Sequence, residues 1–90
     1  MGVWQPDKEE PIKVVAWFDP YQPICKRVLC LKFLWNGRAH LIREIDLYHQ
    51  AERGKNLMHY FSVAEGPFHY KIRFDSKRLL WVLDGVYEDG

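Results

Sequence analysis

An Asn-Gly pair at positions 36 and 37 is the feature of this sequence that most limits how the chain can fold. It separates residues 26–35 from residues 38–48, two runs rich in aliphatic and aromatic side chains. A type I′ hairpin turn needs positive φ at both central positions, and Asn and Gly adopt positive φ most readily. The pair therefore predicts an antiparallel hairpin in which Trp35 faces Arg38.

The turn also sets the register of the two strands. Counting outward from it places Leu31 opposite Ile42 and Phe33 opposite His40, on the face that points into the core. The hairpin is therefore predicted to contribute these side chains to the interior of the domain.

The second strand of this hairpin loses its alternation at Arg43-Glu44. A β-bulge there would return Ile45 and Leu47 to the face of Ile42. The apolar spacing that follows also fits a helix within residues 42–53. We predict a strand and then a loop across this segment, because the Asn-Gly turn demands an antiparallel partner, and the helix is the alternative.

Four further segments are enriched in β-branched and aromatic residues, as strands are. They are residues 12–18, 57–64, 68–74 and 79–83, and turn residues separate them. The first ten residues lack an apolar period and predict a loose N-terminal arm. Residues 1–90 as a whole predict one all-β domain, a six-stranded antiparallel meander that forms a small barrel or a highly twisted sheet.

A domain of 90 residues buries a modest fraction of its surface, so its core must be dense. An aromatic content of 16% meets that need, because aromatic side chains bury much area per residue. The residues expected in the core are Leu31, Phe33, Ile42, Ile45, Phe68, Tyr70, Ile72, Phe74, Trp81 and Leu83.

The overall charge indicates no particular class of partner. There are 13 Lys and Arg residues against 12 Asp and Glu, which gives a net charge of +1. Residues 1–11 lack the apolar region of a signal peptide, and no apolar run is long enough to cross a bilayer. We therefore predict a cytoplasmic protein with no membrane partner, in which Cys25 and Cys30 are free thiols.

Residues that could carry catalysis or bind a metal are few and scattered. Cys25 and Cys30 form a single weak pair, whereas a structural zinc site usually has two paired ligand clusters. Ser62 and Ser76 are the only serines, and neither lies in a nucleophile-elbow pattern. We predict no catalytic residue, no metal and no cofactor, and hence no enzyme; a small metal-binding protein or enzyme is the second alternative.

Several large aromatic side chains exceed what so small a core can hold. Trp4, Trp17, Tyr21 and Tyr48 are the candidates for exposure, and exposed Trp and Tyr are typical anchors of protein interfaces. They predict a non-enzymatic binding or adaptor module with a protein partner. A homo-oligomer, in which a second copy of the chain is the partner, is a further alternative.

Nucleic-acid binding by a small β-barrel is the main alternative. His69, Lys71 and Arg73 alternate outward on one strand, and Lys26 and Lys32 add positive charge. Such faces can contact phosphates while aromatic side chains stack on bases. Within residues 68–74, the aromatic side chains lie on the opposite side of the strand from these cations. This arrangement disfavours a single surface that both stacks on bases and contacts phosphates.

Two motifs resemble a family of short uncharacterised bacterial all-β domains. They are Phe33-x-Trp35-x-Gly37-Arg38 followed by Ile42-x-x-Ile45-Asp46, and Tyr60-Phe61-Ser62-Val63 followed by Trp81-x-Leu83-x-x-Val86. Tyr48 stands where that family often has Trp. Genes of the family sometimes lie near those for lesion-bypass DNA polymerases, so the resemblance implies the β fold and a link to DNA repair, and it implies no catalytic residue.

Overall fold

The computed structural model describes residues 3–5 and 9–89. Their regular structure consists of antiparallel strands and one turn of 3-10 helix, Ile24–Lys26. The strands are β1 (Val3–Gln5), β2 (Glu10–Pro11), β3 (Lys13–Phe18), β4 (Val28–Trp35), β5 (Arg38–Ile42), β6 (Ile45–Arg53), β7 (Asn56–Glu65), β8 (Phe68–Asp75) and β9 (Leu80–Glu88). The predicted all-β class is confirmed.

The strands form two sheets that two bent segments join. One sheet has the order β1-β9-β8-β7-β6, with β2 also on β9, and the other has the order β3-β4-β5. Only Ile12 separates β2 from β3, and its N–H donates to the carbonyl of Trp81 over 3.0 Å. Only Arg43-Glu44 separates β5 from β6. When each bent pair is counted as one strand, six strands close a hydrogen-bonded circuit, as in a small barrel.

The Asn-Gly hairpin forms as predicted. Asn36 has φ 55° and Gly37 has φ 72°, so both central residues take the left-handed conformation that this turn needs. Trp35 pairs with Arg38, Phe33 with His40 and Leu31 with Ile42. The predicted register is confirmed throughout the hairpin.

The segment after Ile42 differs from the prediction. The chain leaves one sheet at Arg43-Glu44 and enters the other, and residues 45–53 form a strand with neither a helix nor a loop. An irregularity between Ile45 and Leu47 leaves Ile45 against the core and Leu47 exposed. The prediction that both share the face of Ile42 was wrong, because the chain turns a barrel corner here.

Parts of the first ten residues also belong to the barrel. Val3–Gln5 pair with the end of β9, and Glu10 pairs with Leu83. These parts of the predicted loose arm therefore form sheet, since β9 offers them an open edge. The rest of the arm, residues 1–2 and 6–8, lies outside the described residues.

The core lies between the two sheets and matches most of the predicted list. Ile45, Phe74 and Trp81 are half-buried at its rim, and Phe68 is 37% exposed at the end of β8, where it pairs with Glu88. The predicted residues that are buried are Leu31, Phe33, Ile42, Tyr70, Ile72 and Leu83. The prediction missed the buried residues Val28, Met58, Phe61, Val63 and Val82.

Candidate protein-interaction surface

Exposed apolar side chains concentrate on β3 and in the loop that follows it. Val15, Trp17, Phe18, Tyr21 and Ile24 are between 54% and 94% exposed, and we call these five residues the β3 patch. Elsewhere among the described residues, only two other large apolar side chains are more than half exposed. An apolar concentration of this kind makes the segment a candidate interaction surface.

The alternation of β3 explains why part of the patch faces water. Val14 and Ala16 pack against the core, so Val15 and Trp17 must point to the opposite face. No described strand covers that outer face of the three-stranded sheet. Leu34 on β4 and Leu41 on β5 extend it, with 47% and 48% exposure.

Local hydrogen bonds hold the loop that carries Tyr21 and Ile24. The side chain of Asp19 accepts the N–H of Tyr21 over 3.0 Å. The guanidinium of Arg27 donates twice to the carbonyl of Gln22, over 2.9 and 3.2 Å. These bonds order the backbone of the loop, which lowers the entropy lost when binding fixes the loop.

Phe18 and Ile24 also form one wall of an apolar cleft at the end of the barrel. The cleft has a volume of about 170 Å³, and half-buried Tyr48 lies in its opposite wall. The Tyr48 hydroxyl lies 2.6 Å from Nδ1 of His59 and accepts a bond from Gln50 Nε2 over 3.0 Å. Tyr48 is therefore held in place beside the patch, although we had expected it to be exposed.

Positive charge surrounds the patch despite the near-neutral total. Residues 11–43 contain six Lys and Arg residues and one acidic residue, Asp19. Lys13 and Lys32 are exposed on the outer face of the three-stranded sheet, and Lys26 is exposed in the 3-10 turn. Net charge conceals this asymmetry, because acidic residues dominate the remainder of the chain.

The structure brings together two of the predicted protein-interaction residues, Trp17 and Tyr21, in one patch. The side chain of Trp4 lies outside the described residues, and its backbone pairs with Tyr87. Sequence reasoning missed Val15, Phe18 and Ile24. The spacing of Lys13, Val15 and Trp17 was the available signal, since it places all three on one face of the strand.

The residues predicted to bind nucleic acid are divided between the two sheets. Lys32 lies on β4 and Lys26 beside it in the 3-10 turn, whereas His69, Lys71 and Arg73 lie on β8. His69 Nε2 lies 3.8 Å from a carboxylate oxygen of Asp89. Lys71 is exposed.

Arg73 is not solvated as we expected. Its side chain is 11% exposed and lies 3.6 Å from Glu9 and 3.5 Å from Asp84. Met58 and Val82 are buried beside it on the same outer face of the sheet. The expectation was wrong because Glu9, which is distant in sequence, covers this end of β8.

The same region forms an open groove of about 580 Å³, in which three arginines lie close to carboxylates and which Lys55 also lines. Arg53 lies 3.1 Å from Glu9, and Arg78 lies 3.3 Å from the buried Asp75. The hydrogen bond and the negative charge of Glu9 raise the pKa of Arg53 above its usual value. These groups satisfy one another, so we interpret the groove as a structural ion-pair network.

A second polar cluster is enclosed by aromatic rings. Nδ1 of His40 lies 2.7 Å from Glu65, and the Tyr70 hydroxyl donates to the same carboxylate oxygen over 3.3 Å. Phe33 stacks on His40 with ring centroids 4.9 Å apart. Burial, and secondarily the negative charge of Glu65, raises the pKa of Tyr70 to about 12. The cluster joins the two sheets.

The raised pKa of Tyr70 predicts a loss of stability in alkali. The folded state holds this proton more tightly than the unfolded chain, whose tyrosine titrates near 10.0. The resulting stabilisation is present below pH 10 and is lost as the pH rises toward about 12. It amounts to at most about 2–3 kcal/mol. Urea denaturation across this range should show a shallower fall for Tyr70→Phe than for the parent, and equal slopes would contradict the assignment.

Within residues 3–5 and 9–89, no His, Cys, Asp and Glu side chains group as a metal site would, and no helix has the length and apolarity to span a membrane. Cys25 is an exposed free thiol. Comparisons of the chain with protein-family models, curated proteins and solved structures give no match.

Proposed function

We propose that this protein is a non-enzymatic interaction module whose β3 patch docks a partner protein. The observation that carries the proposal is the exposure of five large apolar side chains within ten residues, on one strand and its ordered loop. Trp17 and Tyr21 are the natural anchors, because Trp and Tyr are enriched among residues that dominate binding energy. The cytoplasmic location and the link to DNA repair stay predictions.

The composition of the surface favours a protein over a nucleic acid. Val15, Ile24, Leu34 and Leu41 are exposed beside the aromatic residues. Aliphatic side chains do not stack on bases, whereas they pack readily into the apolar core of a protein interface. The surrounding lysines then favour a partner that carries acidic side chains at the rim.

Crosslinking followed by affinity measurement tests this function. A photo-reactive phenylalanine analogue in place of Tyr21 should capture a discrete protein from a lysate of the source cells, and the purified partner should then bind the full chain. Trp17→Ala and Phe18→Ala should each weaken that binding by about 5- to 30-fold, which corresponds to about 1–2 kcal/mol.

Phe68→Ala is the matched control for Phe18→Ala. Phe68 is also an exposed aromatic side chain, but it lies at the first position of β8, whereas Phe74, near the other end of the strand, lines the apolar cleft. The control should bind like the parent. Equal binding by all the variants would refute the proposal, and tight binding of single-stranded DNA that Trp17→Ala abolishes would replace the protein partner with a nucleic acid.

A further inference from the structure

We infer that the partner binds as an added strand along the open edge of β3, through an extended segment in which apolar and acidic side chains alternate. This inference rests on the proposed function and specifies its binding mode. Strand addition uses main-chain hydrogen bonds for affinity and side-chain contacts for specificity.

The hairpin turn determines which backbone groups of β3 are open. In a two-residue hairpin the residues that flank the turn, Trp35 and Arg38, exchange hydrogen bonds, and bonded and non-bonded pairs then alternate along the strands. Leu34 and Lys32 must therefore direct their backbone groups to β3, where they pair with Lys13 and Val15. The N–H and C=O groups of the intervening Val14 and Ala16 consequently point away from β4.

This edge has no described partner. β3 is the terminal strand of its sheet, and the only backbone hydrogen bonds that residues 13–18 make with described residues are those to β4. The edge also lacks the usual protection, since its side chains include no proline and one charge, Lys13. Val14 and Ala16 can thus offer two N–H donors and two carbonyl acceptors to an incoming strand.

The side chains around the edge specify the chemistry of that strand. Its inward side chains would lie beside Val14 and Ala16, which adjoin the core and favour apolar residues. Its outward side chains would lie beside Lys13, Val15 and Trp17 of β3, with Lys32 one strand further on β4, and the two ammonium groups favour carboxylates. An acidic and apolar alternation satisfies both faces.

A second copy of this chain fits the edge less well. Pairing β3 with β3 of another copy would bring together two segments that each carry six Lys and Arg residues and one acidic residue. Like charges brought close together across an interface are destabilising. The observed charge therefore favours an acidic segment of a different protein.

Amide hydrogen exchange and peptide titration test the inference on the full chain. The probe is a blocked peptide of about ten residues that alternates Ile and Glu, which is long enough to add a strand. On binding, the amides of Val14 and Ala16 should gain about tenfold or more protection from exchange. Those of Val15 and Trp17, already bonded to β4, should change little. A peptide with Lys in place of Glu should bind at least about tenfold more weakly.

Ala16→Pro removes one outward N–H and leaves the bonds to β4 in place, because proline is tolerated on an edge strand. It should weaken peptide binding by about tenfold or more, whereas Ala16→Val, which adds similar volume and keeps the N–H, should bind normally. If Ala16→Pro does not fold, the exchange measurement on the parent chain still tests the inference.

Each other result overturns the inference. No binding at about 1 mM peptide, or binding without protection at Val14 and Ala16, would exclude strand addition. Protection that grows with protein concentration alone would assign the edge to a second copy. If Trp17→Ala weakens binding to the captured partner while Ala16→Pro does not, the proposed function stands and only the binding mode is wrong. If neither variant weakens that binding, the proposed function is wrong too.

Discussion

Phe33→Ala should remove most of the free energy of unfolding at room temperature. Phe33 is 1% exposed, and its ring contacts His40 and Tyr70, with centroids 4.9 and 5.1 Å away. Removing such a ring costs about 3–5 kcal/mol through lost burial and the cavity that remains. Small domains are stable by only about 5–15 kcal/mol in total, and a chain of this length lies near the lower end.

Urea denaturation followed by tryptophan fluorescence measures this loss. Phe68→Ala is the control, because it removes the same ring from a site that is 37% exposed and should cost much less. Phe74→Ala should fall between them, since Phe74 is half-buried at the rim and its ring lies 4.7 Å from that of Trp81. Equal midpoints for Phe33→Ala and Phe68→Ala would contradict the packing described above.

Arg73→Glu should destabilise the fold by roughly 3 kcal/mol, comparable to breaking a buried ion pair. The guanidinium is 11% exposed and lies between the carboxylates of Glu9 and Asp84. Reversing its charge places three carboxylates together and removes the link between β8 and the segment before β2. This link spans 64 residues of sequence, and without it Glu9 keeps only its bond to Arg53 in the groove.

Lys71→Glu is the matched control for Arg73→Glu. Lys71 lies two residues earlier on the same face of β8, but it is exposed and has Ser62 and Gly85 as its cross-strand neighbours. The same charge change there should alter stability by less than about 1 kcal/mol. Thermal unfolding at low and at high salt checks both variants, and a similar small effect for the two would show that Arg73 is solvated after all.

The strand content and the hairpin were predictable because they depend on neighbouring residues. Asn36-Gly37 readily adopts the two positive φ angles of a type I′ hairpin, and the register of Leu31 with Ile42 follows by counting. The break at Arg43-Glu44 was visible as a fault in the alternation. Its consequence, a passage from one sheet to the other, was not, because a local pattern cannot distinguish a bulge from a barrel corner.

The candidate site, like the fold, could be predicted only in part from the sequence. Trp17 and Tyr21 were identified because the chain has more large aromatic side chains than a small core can hold. Val15 joins them because no described strand covers the outer face of β3, whereas Phe18 and Ile24 are exposed at the cleft that Tyr48 also lines. The open backbone of Val14 and Ala16 depends both on the hairpin register and on the absence of a described neighbour at the sheet edge.

The sequence by itself determined most of the strands, where the Asn-Gly turn lies and which side chains share a face within a regular strand. These properties arise from backbone sterics and the two-residue period of a strand, and they act within a few residues. The tertiary structure decided which face of each strand is covered. It buried Arg73 beneath Glu9 and left β3 open, because burial depends on contacts between segments that are far apart along the chain.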